Sequence, residues 1–565
     1  MTSLINEYVE RVDFDSYEDF AQNFKFKIPE DFNFGFDVVD KYAEIDPNKR
    51  ALVWCDDEEE RIFTFKDIKE ESNKVANFLK SLGIKKGDCV ILTLKSRYEW
   101  WYTMTALHKI GAIAISATHM LKLHDIKYRL SKAHINAIIT IDEDNLIEDY
   151  TTAEKELDMD IVKITVSDKK FDNWYNLHDE MDKQYDTLKR PKGHEATNIH
   201  DPLVMYFSSG TSGNPKMVKH NGRYPIGDIV TAQYWHEVVE DGLHHTAADT
   251  GWIKAVWGNL YGQWLCGAAV FIYDYERFHA LDLIKKITEH KVDTFCAPPT
   301  IFRFLIKEDL TDIDFSCLKH VSTAGESLPP EVFNKFKEIT GLEIKEAFGQ
   351  TETVISIGTF KWLDAKLGSV GRENPNFKIE LLDKKGNIVD IGEEGEICFD
   401  LSADNTGLFD EYNNDPKRNH ETRYGGYYHC GDKAWKDEDG YFHFVGRNDD
   451  VIKSSGYRIG PYEVESAVIS HPAVVECAIT GYPHEIRGQV VKSTVVVSKD
   501  YQETDDFKKD IQNHVKKVTA PYKYPRMIEF VPEIPKTSNG KIIRKTIRER
   551  DLKKYEEEQN KKNDS

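Results

Sequence analysis

The 565-residue sequence predicts an α/β protein with largely parallel sheets, a β-rich segment, and a further domain at its C-terminal end. Three observations carry this. Strand-like and helix-like segments alternate through most of the chain. Gly-Asn and Asp-Gly turns separate short strands between residues 373 and 445. A polar, glycine-containing stretch without periodicity, RNDDVIKSSGYRIGP, follows Gly446 and reads as a domain boundary.

The elements follow in order. Cys89–Leu94 (CVILTL) is a short, buried-strand pattern, and Tyr98–Lys109 has apolar residues at helical spacing. Ala137–Ile141 and Leu203–Phe207 are further strands, the latter running straight into YFSSGTSGNPKMVKH. The β-rich segment contains IELLD-KKGN-IVDIG, EGEICFD and DEDGYFHFVG. Past the boundary, Pro461 suits the first turn of a helix through EVESAVISH, and the strand VVECAIT follows. From about Leu552 the Lys/Glu/Asn/Asp-rich end predicts a frayed helical tail.

Bulk properties narrow the function. Hydrophobic residues make up 40% and charged residues 30%, as in globular domains. A net charge of −22 opposes general binding to nucleic acid or anionic membranes but leaves room for local basic pockets. No apolar run is long enough to span a bilayer. The eight cysteines form no CxxC pair, and their spacing fits neither a zinc site nor a disulfide framework. Reduced thiols and an acidic start without an apolar core predict a cytoplasmic protein.

The Gly/Ser/Thr loop after the Leu203–Phe207 strand can aim backbone N–H groups and hydroxyls at an anion, and Lys216 adds charge. Phosphate is the natural guest. The P-loop pattern fails, however: counted from Gly210, Pro215 stands at the second glycine and Met217 at the magnesium-binding hydroxyl.

The string SGTSGxPK is similar to the phosphate loop of the AMP-forming adenylate synthetases, the superfamily of acyl-CoA synthetases, luciferases and nonribosomal adenylation domains. AGESL (324–328), EAFGQTET (346–353), GD (431–432), GRNDDVIKSSGYRIGPYEVE (446–465) and PKTSNGK (535–541) match further motifs in the same order. DTGW (249–252), SSGYRIGP (454–461), HPAVVE (471–476) and TAPYKYPR (519–526) resemble the medium-chain acyl-CoA synthetase branch and its prokaryotic relatives that take short branched acids.

The resemblance implies a large N-terminal domain (residues 1–448) of two α/β lobes plus the β-rich subdomain. It implies a small mobile α+β C-terminal domain (449–565), with a hinge at Asp449. It implies that a carboxylic acid, ATP and CoA yield acyl-CoA, AMP and pyrophosphate through an acyl-adenylate, with Mg²⁺ accompanying ATP. Loading of a carrier protein and aryl-CoA ligation are the alternative outcomes within the enzyme class, and a non-catalytic nucleotide-binding member is a third reading.

The same resemblance assigns the residues. Ser208, Ser209, Gly210, Thr211, Ser212, Gly213 and Lys216 would cradle phosphates, and Thr211 and Glu352 would help hold Mg²⁺. Phe348 would stack on adenine, beside Glu346, Ala347, Gly349, Gln350 and Thr351 and the Gly325–Glu326–Ser327 segment. Asp432 and Arg447 would hold the ribose hydroxyls, and Lys541 would bridge the attacking carboxylate and the α-phosphate. Ser455, Gly456, Tyr457, Arg458, Arg487, Lys516, Tyr524, Pro525 and Arg526 match CoA-contacting positions. Trp252, Lys254, Trp257, Thr323, Ala324, Gly349 and Thr351 would form the acyl pocket. Acetate-specific relatives carry tryptophan at the Gly349 position, so a deeper pocket is expected, for short, branched or medium-chain acids. A lysine acetyltransferase and deacetylase acting on Lys541 would be partners, and the enzyme would be a monomer or homodimer.

Overall fold

Four β-sheets order the chain, and the site lies where their ends converge. The computed structural model describes residues 3–143, 145–208, 215–326, 328–447, 450–454, 457–485, 487–498, 501, 503–519, 523–536 and 542–563.

The first sheet has eight strands, in the order Glu411–Tyr412, Lys216–Asn221, Pro202–Ser208, Ile113–Ser116, Cys89–Thr93, Ile135–Ile141, Val162–Val166 and Tyr175–Asn176. Its centre is parallel. Every residue of Cys89–Thr93 is buried, as expected for a strand covered by helices on both faces. The helix Glu99–Ile110 buries all twelve of its residues and ends at Gly111, whose φ of 72° a glycine adopts without strain. Helix Phe65–Ser81 begins with a capping box in which Thr64 and Asp67 exchange hydrogen bonds.

The second sheet has nine strands, in the order Arg372–Glu373, Ile357–Gly358, Ile344–Phe348, His320–Ala324, Thr294–Cys296, Leu243–Thr246, Ala269–Tyr273, Arg50–Cys55 and Glu60–Thr64. It too is parallel in the middle and antiparallel at both edges. The β-rich subdomain is an antiparallel sheet of Ile379–Leu382, Gly395–Asp400, Tyr427–Lys436, Arg423–Tyr424 and Phe442–Arg447.

The C-terminal sheet joins Tyr457–Ile459, Ile452–Ser454, Gly488–Val497, Val474–His484 and Met527–Phe530. The change from one sheet to the next falls between Arg447 and Ile452. Asp449, expected as the hinge, lies outside the described residues. The stretch that looked aperiodic contains the hairpin of Ile452–Ser454 with Tyr457–Ile459. Pro461 opens the helix Pro461–Ile469, as its fixed φ favours.

The end of the chain is helical, as expected: Arg544–Asn563 is one helix, which packs on the C-terminal sheet through its first turns and whose described side chains from Leu552 on are mostly exposed. Ile547 and Asp551 are buried, Asp551 accepts a 2.6 Å hydrogen bond from Lys492, and Lys554 pairs with Glu529 at 2.9 Å.

Candidate active site at the junction of the two domains

A cavity of about 600 Å³ opens between the large sheets, the β-rich subdomain and the C-terminal domain. The carboxyl ends of parallel strands supply much of its wall, the usual place for ligands in α/β sheets. Ser208 ends its strand there, Gly325 and Glu326 follow His320–Ala324, and Gly349–Glu352 follow Ile344–Phe348.

Glu352 is 2% exposed and ionised. Burial works to raise its pKa, but the Lys216 ammonium and the Tyr412 hydroxyl hold it below the usual carboxylate value. Lys216 Nζ donates to Glu352 Oε1, and Tyr412 Oη donates to the same oxygen at 2.8 Å. Lys216 and Tyr412 come from adjoining strands, Lys216–Asn221 and Glu411–Tyr412, at the edge of the first sheet, and Glu352 from the turn after Ile344–Phe348 of the second. His220 bonds the Thr351 carbonyl at 2.8 Å and fixes the backbone that carries Glu352.

Asp432 and Arg447 are direct cross-strand partners in the β-rich subdomain, and both line the cavity. Gln350 donates to the Asp432 carboxylate and to the Cys430 carbonyl, the latter at 3.1 Å. Phe348 lies on the wall with Phe444, their ring centroids 5.6 Å apart. Glu346 is buried and, among the described residues, accepts one backbone hydrogen bond at its side chain, from Leu328 N–H at 3.2 Å. Burial pushes its pKa up to about 8, so it is a neutral carboxylic acid at pH 7. Glu326 is held from the side by the Thr300 hydroxyl at 2.9 Å and by Arg303 at 3.6 Å.

The cavity thus brings together Ser208, Lys216, Trp252, Gly325, Glu326, Glu346–Glu352, Asp432 and Arg447 from widely separated parts of the chain. Lys254, Trp257, Thr323 and Ala324 stand behind that wall instead of on it. Lys254 does not turn to solvent: its ammonium donates to the Ala324 carbonyl at 3.3 Å and lies 5.7 Å from the Trp257 ring. Burial lowers its pKa. Thr323 spends its hydroxyl on the Ala297 carbonyl at 2.7 Å.

The C-terminal domain presents Tyr462, Glu465, Arg544 and Arg548 to the cavity. Arg544 Nη2 donates to both carboxylate oxygens of Glu465, 2.7 Å to each, and its guanidinium lies over the Tyr462 ring. Asp450 pairs with Arg548 and, at 3.6 Å, with Arg544. Lys536 and Ile542 form a bridge at the cavity edge. Of the expected CoA contacts, Lys516 and Arg526 both lie over the Tyr524 ring, 4.2 and 5.0 Å from its centroid, and Arg487 lies at the turn joining Val474–His484 to Gly488–Val497. None of these lines the cavity.

Ser209–Gly213, Ser327, Ser455, Gly456 and Lys541 lie outside the described residues, as do the side chains of Tyr457 and Arg458. Sequence reasoning missed Tyr412, Arg303 and Arg544. Nothing local marks them: each acts through a partner far away in sequence.

Comparison with known proteins agrees with this geometry. The family described as AMP-binding enzyme matches residues 39–405, and the AMP-binding enzyme C-terminal domain matches residues 463–541. Acyl-coenzyme A synthetase ACSM3, mitochondrial, of Rattus norvegicus is 38% identical over 549 residues, covering 95% of this chain and 94% of its own. The Homo sapiens protein of the same name is 38% identical over 551 residues, covering 96% and 93%. Among solved structures, the anthranilate CoA ligase AuaEII in complex with anthranoyl-AMP superposes with a TM-score of 0.85 at 28% identity, over 93% of this chain and 98% of that one. The Brucella canis acyl-CoA synthetase gives 0.72 at 28% identity, over 96% and 100%.

The relatives overturn one expectation. They are named as mitochondrial enzymes, so the cytoplasmic assignment does not stand. One of its grounds, reduced cysteines, suits either compartment. Among the described residues, no helix is long and apolar enough to cross a membrane.

Proposed function

Because this chain belongs to the AMP-binding enzyme family and is an AMP-forming acyl-CoA synthetase, we propose that it activates short, branched or medium-chain carboxylic acids, with Lys541 as the adenylation lysine. The supporting observation is the cavity itself, where Phe348, Asp432, Arg447, Lys216 and Glu352 face one space.

In the first half-reaction the acid's carboxylate oxygen attacks the α-phosphorus, and the bond to the pyrophosphate oxygen breaks. Phe348 offers the adenine a ring, and Asp432 and Arg447 offer the ribose diol an acceptor and a donor. Neutral Glu346 can donate its proton to a ring nitrogen, which a carboxylate could not do. Lys216 would leave Glu352 for the phosphates, together with the Ser209–Gly213 loop. Lys541 would neutralise charge developing between the carboxylate and the α-phosphate; acetylation there would abolish that charge.

Glu352 fits Mg²⁺: it is an ionised, hard oxygen donor on the cavity wall, and Thr211 would add a hydroxyl. The cation would neutralise phosphate charge.

In the second half-reaction the CoA sulfur attacks the acyl carbon, AMP leaves, and the thiol proton is lost to solvent. The described cavity-facing residues of the C-terminal domain differ from the expected CoA contacts Arg487, Lys516, Tyr524 and Arg526. This supports a reorientation about Asp449 between the two steps.

For the acid, Gly349 stands on the cavity wall without a side chain, and Lys254 with Trp257 would set the pocket's depth once the wall behind Trp252 opens. Release of AMP across an acid series with ATP and CoA tests the reading. Propionate to hexanoate and their branched isomers should be the best substrates, and Lys254→Leu should shift the profile. Dodecanoate or benzoate as the best acid refutes the size assignment, and an unchanged profile in Lys254→Leu removes that residue from it.

A further inference from the structure

Behind the turn that carries Asp432 lies a cluster that the reaction does not use. Glu396 and Cys398 stand two residues apart on the strand Gly395–Asp400 and so share a face. His429 lies directly opposite Cys398 on the neighbouring strand. The register then breaks: Cys398 pairs with His429 but Glu396 with Lys433, so residues 429–433 bulge past residues 398–396. Gly431, in the bulge, donates its N–H to Glu396 Oε1 at 3.0 Å.

His429 Nδ1 is 3.3 Å from Cys398 Sγ and 3.3 Å from Glu396 Oε2. One ring nitrogen either carries a proton or accepts one. It cannot accept from the thiol and donate to the carboxylate at once; a protonated Nδ1 would have to share its hydrogen between the carboxylate oxygen and the sulfur, a weak acceptor. A cation shared by all three groups removes the conflict. Tetrahedral zinc, with its usual bond lengths, places sulfur and nitrogen about 3.5 Å apart and nitrogen and oxygen about 3.4 Å apart. The three ligand atoms lie within 4.8 Å of one another. Two supports hold the ligands in place: Gly431 N–H orients the carboxylate, and Tyr424 stacks on the imidazole with centroids 3.7 Å apart.

We infer that Glu396, Cys398 and His429 form a binding site for a zinc-class divalent cation, separate from the magnesium that accompanies ATP. A sulfur–nitrogen–oxygen set selects a borderline-soft transition metal over Mg²⁺. The thiol proton passes to solvent on binding, no electron is transferred, and water completes the coordination. The site braces the bulge whose far side presents Asp432 to the nucleotide cavity.

The full-length enzyme, stripped with chelator and kept free of magnesium, is titrated with Co²⁺. A thiolate-to-cobalt charge-transfer band should grow to one equivalent and be displaced by Zn²⁺. Cys398→Ser and His429→Ala should abolish it with unchanged circular dichroism, and Glu396→Gln should weaken binding by about 10- to 100-fold. X-ray absorption of zinc-loaded wild type serves even if the variants misfold: one sulfur at about 2.3 Å beside nitrogen and oxygen scatterers is expected. No band in wild type, a band surviving both substitutions, or oxygen and nitrogen scatterers alone overturns the site.

Discussion

At the residue scale, Glu352 and Glu346 show how environment divides two carboxyl groups of one wall. Lys216 and Tyr412 keep Glu352 charged, while burial keeps Glu346 neutral. Glu352→Gln should lower the rate of ATP–pyrophosphate exchange by about 10²–10³-fold, the usual loss when one preorganised charge is removed. Tyr412→Phe should cost about tenfold, from one hydrogen bond to a charged group. For Glu346 the sign follows from linkage. The folded pKa of about 8 exceeds the ordinary 4.5, so its contribution is complete below pH 4.5 and is lost as pH rises through 8. The stability of wild type relative to Glu346→Gln should therefore fall across that window, by at most a few kcal/mol at about 1.4 kcal/mol per unit. Urea unfolding at pH 5 and pH 8.5 checks it; equal differences at both would refute the neutral assignment. Glu352 and Glu346 were both legible in the sequence because each sits in a contiguous string. Tyr412 was not, because strand pairing alone brings it to Lys216.

At the element scale, close backbone approaches position the loops. A Cβ on Gly251 would meet Thr118 N at 2.2 Å, so the DTGW turn lies directly on the first sheet's loop and aims Trp252 into the cavity. Gly251→Ala should destabilise by about 1–3 kcal/mol and lower kcat/KM for the acid, since the turn must lift. A thermal melt and a steady-state assay read the two effects; an unchanged kcat/KM with lost stability would confine the turn to a structural role. The strands Cys89–Thr93 and Pro202–Ser208 and the helix Glu99–Ile110 were readable from apolar runs and helical spacing. The hairpin of Ile452–Ser454 with Tyr457–Ile459 was not, because strands of three residues are too short to show a period. Nor was the Glu396–Cys398–His429 cluster: chain spacing excludes a zinc motif, yet a bulged strand pair assembles the ligands.

At the scale of the whole molecule, the arrangement of sheets was foreseeable from alternation and turn content, whereas the orientation of the C-terminal domain was not. Few sequence signals mark its contacts with the cavity, which run through Tyr462, Glu465 and Arg544. Arg544→Ala leaves Glu465 buried without its partner and should destabilise the C-terminal domain by about 3–5 kcal/mol. Adenylation should slow more than thioester formation from a supplied acyl-adenylate, because Arg544 borders the cavity beside Ile542. Equal loss in both half-reactions would make Arg544 purely structural. The shared cavity also bears on melting. The C-terminal domain has a hydrophobic core of its own, so without ligand the two parts can absorb heat in separate transitions. An acyl-adenylate analogue touching both walls binds only while both are folded, and at a hundred times its Kd adds about 2.7 kcal/mol. In scanning calorimetry two peaks should then merge into one, the occupied cavity acting as the cross-link that makes two cooperative units a single one.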